Sequence, residues 1–260
     1  MNKYIGIGLL QIVVFVWWTL LQVSPDHTSI WNFWFNGAYG GIFLIGGLTG
    51  LLAISRLGGL RSTVGRGLLY TASGLFLYGI GQMIWLWFNL SGREVPYPSI
   101  ADAFFVLLMP CLLLGIWNIT LLFIPRIKPL QIFEFVLLTV IILAVTMIFI
   151  NKPELSTELD PLTNGLNIYY PFADAVIVAL SIVALRTVGG KFNMIMLFIT
   201  AGALLHAVAD ILFTHSTSVG TYWNGDLSDL LFSLGGFSIS VGLITLISLF
   251  SSSQSEAPKL

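Results

Sequence analysis

Four short stretches of this sequence carry residues able to do chemistry. "YPSIAD" (97–102), "YPFAD" (170–174) and "NGDLSD" (224–229) each end in an aspartate, and "HAVAD" (206–210) sets an imidazole four residues before a carboxyl. Carboxylates and imidazoles bind cations and relay protons, and residues four apart share one face of a helix. His206, Asp210 and a carboxylate from another helix (Asp102, Asp174 or Asp229) are adequate metal ligands, but His-x-x-x-Asp alone names no metal. No His-Glu-x-x-His, serine elbow, phosphate loop or cysteine pair accompanies them, which points away from an enzyme. No lysine within a late helix offers a retinal Schiff base. The one cysteine, Cys111 beside Pro110, reads as packing, and no cofactor is indicated.

The elements that must position these groups are membrane helices. Of 260 residues, 57% are hydrophobic and 9% charged, with a mean hydropathy of +0.93. A soluble domain carries about 25% charge, so the partner of this surface is the lipid bilayer. Runs of about 20 apolar residues can cross the hydrocarbon core as helices. Eight are read at 4–23, 33–54, 67–90, 101–124, 132–150, 169–187, 194–214 and 227–250. The expected class is an all-α integral membrane protein with a short polar tail. The N-terminal run lacks a small-x-small cleavage site and reads as a retained first helix. A net charge of −1 gives no support for nucleic-acid binding.

Basic residues orient the chain. Lys3, Arg56, Arg61, Arg66, Arg126, Lys128, Arg186, Lys191 and Lys259 fall on one side, with only Arg93 and Lys152 opposite. Both termini are therefore expected in the cytoplasm of a cell-membrane protein. On that reading Asp26, Glu94, Asp102, Glu154, Glu158, Asp160, Asp174, Asp210, Asp226 and Asp229 lie in the outer half or outer loops. Only Glu134 and Glu256 lie inside. Seven of the eight tryptophans are outer as well, as an interfacial belt would be.

The second half repeats the first. "GLLYTASGLFLYGIGQMIW" (67–85) aligns without gaps on "MLFITAGALLHAVADILF" (196–213), Gly74 on Gly202, so that Tyr78 faces His206 and Gln82 faces Asp210. "IADAFF" (100–105) then matches "LSDLLF" (227–232), and "SRLGGL" (55–60) resembles "LRTVGGK" (185–191). Two parallel four-helix repeats follow, 1–128 and 129–260, related by an axis near the membrane normal. Small residues in helices two and seven mark close helix seams. Pro110 is expected to kink helix four by removing the bond to Val106.

The acids admit a simpler role. Ser99 with Asp102, and Asp226 with Asp229, have capping-box spacing, and Asp174 follows Pro171 as a first-turn anion would. Asp210 does not fit, because it is placed near the C-terminal end of helix seven, where the macrodipole disfavours an anion. It also sits roughly 5 Å inside the apolar run. A hydrogen bond to His206 that pins helix seven, or a polar pocket between helices, would each explain it.

"ADILF…TYWNGDLSDLLFSLGGFSISVGL" (209–243) and "YPSIADAFFVLLMPCLLLG" (97–115) resemble the polytopic membrane regions that precede PAS, histidine-kinase or diguanylate-cyclase domains in bacteria and archaea. The resemblance implies a prokaryotic sensory module whose ligand is unassigned. No output domain follows helix eight, so sensing is expected to work through a separate partner protein. The candidate ligand-binding residues are His206, Asp210, Asp229, Asp102 and Asp174, with Tyr78 and Gln82 as repeat counterparts. A small-molecule or ion transporter and a structural subunit of a membrane complex are the alternatives. Topology is tested by reporter fusions after Phe250 and within 153–165. The first should report cytoplasm and the second the outside; a cytoplasmic signal from the second overturns orientation and span count.

Overall fold

The computed structural model describes residues 3–93, 95–124, 126–150 and 160–255. Glu94, Lys152, Glu154, Glu158, Glu256 and Lys259 lie outside them, as does the tail beyond Ser255. Every regular element among the described residues is helical. In chain order the long helices are α1 (Lys3–Val23), α2 (Ile30–Ala53), α3 (Thr63–Leu90), α4 (Asp102–Leu121), α5 (Pro129–Ala144), α6 (Pro161–Thr187), α7 (Asn193–Ser218) and α8 (Leu227–Ser255). Seven of them are long and apolar enough to cross a membrane. The other, α3, is long enough at 28 residues but less apolar, diluted by glycines, Tyr78 and Gln82. The chain is a multi-pass membrane protein by these criteria.

Local chemistry sets the helix starts. Ser62 caps α3 by accepting from Gly65 N at 2.8 Å, and α5 opens on Pro129, whose fixed φ suits a first turn. Asp160 caps α6 by accepting from the amides of Leu162 (2.9 Å) and Thr163 (3.1 Å). Thr163 holds that exposed carboxyl below the usual carboxylate range. Helix α4 breaks at Val106–Leu107, where Pro110 cannot donate to Val106 O. The freed carbonyl accepts from Tyr169 Oη at 2.5 Å instead, so the kink expected from Pro110 is present and its orphan is satisfied by α6.

Two boundaries correct the sequence-based expectation. Helix α6 begins at Pro161, eight residues before the expected start at 169, because the Asp160–Pro161 cap overrides the less apolar stretch behind it. Pro171 is tolerated inside the helix, so Asp174 lies in mid-helix and caps nothing. Helix α7 continues to Ser218. Asp210 is therefore about 12 Å from the helix end, deeper than expected and clear of the C-terminal dipole.

Six helices close a ring through the contacts α2–α3, α3–α4, α4–α6, α6–α7, α7–α8 and α8–α2. Outside it, α1 packs on α2 and α8, and α5 on α6. The seams depend on missing Cβ atoms. A methyl on Gly47 would meet Phe76 N at 2.6 Å, one on Gly74 would meet Leu108 O at 3.2 Å, and one on Gly202 would meet Gly235 O at 2.8 Å. Gly115 abuts Thr71 and Gly242 abuts Ile199; Thr71 aligns with Ile199 when Gly74 is set on Gly202, and Gly115 with Gly242 when Asp102 is set on Asp229. Gly41, by contrast, has nothing within 4 Å. Gly202→Ala should lower stability in a detergent melt by about 1–3 kcal/mol through overpacking, while Gly41→Ala leaves it unchanged or raised. Equal effects would show that the α7–α8 seam is not close-packed.

Candidate functional site

Asp102, Asp174, Asp210, Asp226 and Asp229 gather at the end of the bundle opposite Arg56, Arg61, Arg66 and Arg186, in two separate places. The first is a cleft between α6 and α7, lined by Thr146, Tyr170, Pro171, Asp174, Asp210 and Thr214. Asp174 and Asp210 face each other there within hydrogen-bonding range. Asp174 is 6% exposed, and its Oδ1 has no partner. Asp210 Oδ2 is also unpartnered; His206 Nε2 lies 3.5 Å away on the same helix face, without hydrogen-bond geometry. His206 is walled by the rings of Tyr78 (5.1 Å) and Phe232 (5.0 Å), and its Nδ1 meets no acceptor. Tyr170 joins Asp102 to this cleft by donating to its Oδ1 at 2.9 Å. The other Asp102 oxygen accepts from Ser99 N (2.7 Å) and Ser99 Oγ (3.0 Å).

The second place is an enclosed network around Asp229, which is 1% exposed. Its carboxylate accepts from Gly225 N (2.7 Å), Tyr39 Oη (3.2 Å) and Tyr222 Oη (3.3 Å). With its amide turned to suit its neighbours, Asn36 adds a fourth donor at 3.1 Å. Asp226, three residues earlier in the chain, is the cap of α8, accepting from Ser228 N at 2.8 Å. Burial first, and the charge of Asp229 second, push the loop residue Tyr222 well above the usual phenol range, so it stays a donor. Burial likewise pushes Tyr97 up to about 12; it donates to Asn167 Oδ1 at 2.9 Å.

The predicted residues therefore divide. Asp174, Asp210 and His206 come together, with Asp102 attached through Tyr170. Asp229 is held apart, and Gln82 is buried under Gly40 on α2. Tyr78 lies between, its ring against Phe43 (4.4 Å), Phe105 (4.8 Å) and His206 (5.1 Å). Among the described residues no three His, Cys, Asp or Glu converge as a metal set. Among the described residues the ion pairs are Glu134–Arg186 and the His206–Asp210 contact, and no lysine or arginine there is paired with these acids.

Sequence reasoning missed Tyr39, Tyr170, Asn36 and Asn167. A signal for them exists. Counted from Gly58–Gly59 and Gly189–Gly190, Asn36-x-x-Tyr39 corresponds to Asn167-x-x-Tyr170. The Tyr39–Asp229 and Tyr170–Asp102 bonds then link corresponding residues, α2 to α8 and α6 to α4. No family model, curated protein or solved structure matches the chain.

The two places should respond oppositely to neutralisation. Asp229→Asn turns an amide N–H₂ or a weaker acceptor toward several donors, and should cost about 1–3 kcal/mol in a thermal melt. Asp174→Asn keeps a neutral polar group beside Asp210 while removing one ionisable carboxyl from the cleft, and should leave stability unchanged or raised. The reverse order would show that the partner assignments are wrong.

Proposed function

We propose that this protein is a sensory, ligand-binding membrane module of prokaryotic type, built as two parallel four-helix repeats with both termini cytoplasmic. It takes a small ligand from outside into the Asp174–Asp210 cleft. One observation carries the reading: two carboxyls line one cleft at membrane depth, and among the described residues no basic side chain pairs with either. Ionisable groups are costly in the bilayer and persist where they face a cavity or a partner. Other acids in the same half receive donors from the protein itself, as Asp229 does. The cleft pair is left for something else to satisfy.

Signal would leave through contacts already in place. Tyr170 lines the cleft and holds Asp102 at the start of α4, so a ligand that draws on the Tyr170 hydroxyl loosens that helix start. A partner protein reads the change.

A transporter would need a polar route on to the basic end. Phe43, Tyr78, Phe105 and Phe232 fill the middle of the bundle instead. The deep polar residues are engaged elsewhere: Asn118 with Arg66 at 3.2 Å, and Glu134 with Arg186 at 2.8 Å.

The test is a thermal-shift panel of cations, amines and small metabolites on the wild type, Asp210→Asn and His206→Ala. A ligand at a hundredfold excess over its Kd stabilises by about 2.7 kcal/mol. The expected result is a hit on the wild type that Asp210→Asn abolishes while remaining folded. Hits that persist unchanged in both variants make these residues scaffold and sink the proposal.

A further inference from the structure

The cleft also restricts what can enter it. We infer that its ligand is one small hard monovalent cation, of sodium's size, which enters as one proton leaves the Asp174–Asp210 pair. This rests on the pocket reading above and specifies the ligand class.

The donor set comes first. The side chains of Asp174, Asp210, Tyr170, Thr146 and Thr214 present only oxygens, and oxygen donors suit hard ions rather than zinc or copper. Size is the second restriction. The cleft has room for about one water molecule, which excludes a metabolite or a fully hydrated ion.

Charge is the third. Asp174 and Asp210 line the same small cleft, and two carboxylates so close cannot both be ionised unless a proton or a cation lies between them. The titratable groups near the pair are His206 on α7, Tyr169 and Tyr170 on α6, Tyr78 on α3 and Tyr97 in the loop before α4. Asp102 stands behind Tyr170, and the turn after α5 contributes the neutral Thr146. An imidazolium at His206 would need an acceptor at Nδ1, and none is there. Among the described residues none supplies the balancing charge, so it is taken from solution. A divalent ion would look for more ligands, since calcium takes six to eight oxygens, and no third carboxylate joins this pair among the described residues.

The exchange balances. Two neutral carboxyls hold two protons; a cation replaces one, leaving one carboxylate–cation contact and one carboxylic acid, and the displaced proton passes to water. The site is neutral before and after, so no net charge is buried.

The experiment follows the melting temperature of the full chain in lipid nanodiscs while sodium, lithium or potassium chloride is exchanged for choline chloride at constant ionic strength, over a series of pH values. Protons released are counted by calorimetric titration in two buffers of different ionisation enthalpy. We expect an alkali cation to raise the melting temperature where choline does not, with about one proton released per cation. The half-saturating concentration should fall about tenfold per pH unit as pH rises, and Asp174→Asn and Asp210→Asn should each abolish the effect. No alkali-specific shift in the wild type, no proton release, or an unaltered shift in both variants overturns the inference. A larger amine or a divalent ion that stabilises only the wild type would sink this inference and leave the pocket standing; if nothing stabilises it, both fall. The wild-type proton count needs no variant, so a poorly folding substitution does not blunt the test.

Discussion

A carboxyl group inside a bilayer must be neutral, paired, or surrounded by hydrogen-bond donors, because no water is there to solvate it. Much of the acidic end of this bundle follows from meeting that requirement. Asp229 meets it with a loop amide, two tyrosines and an asparagine, drawn from α2 and from the loop that precedes its own helix. Asp102 meets it with Ser99 and with Tyr170 of α6. Each of these acids thereby ties together helices distant in sequence. Asp174 and Asp210 have no such donors, and the difference separates a fastening from a site.

Close backbone approach makes this arrangement possible. Hydrophobic driving force is absent between helices in lipid, so packing contact and polar fastening hold the ring. Glycines on α2, α3, α7 and α8 let neighbouring helices come near enough for short side chains to reach across. The volume they leave is filled by Phe43, whose ring rests on Gly236, and by the rings gathered round Tyr78. Polar chemistry at one end is thereby isolated from the basic end by an aromatic layer.

Much of this was legible in the sequence. The helix positions were readable because an apolar run of fixed length is a direct consequence of bilayer thickness, and Pro110 announced its kink through a missing donor. The placement of Asp174 was not. "YPFAD" resembles a helix start, but Asp160–Pro161 caps the helix earlier, and proline inside a membrane helix is tolerable when neighbours hold it. Pairing across helices was also hidden. Nothing in the spacing of His206 and Asp210 says that Asp174, rather than Asp102 or Asp229, faces them. The tyrosine–aspartate bonds required the offset between α2 and α6, which only the Gly–Gly pairs mark.

One wall of the cleft differs in kind from the others. Thr146 belongs to the turn that continues α5, and only 6% of the apolar window of α5 is buried, against 50% for α6 and α7. Near the opposite end of α5, an apolar groove opens between α4, α5 and α6. The tilt of α5 is thus governed by matching its hydrophobic length to the surrounding hydrocarbon, which changes with acyl-chain length. Membrane thickness would thereby enter the geometry of the acidic cleft, and the cation affinity proposed for it would belong to the protein together with its lipid.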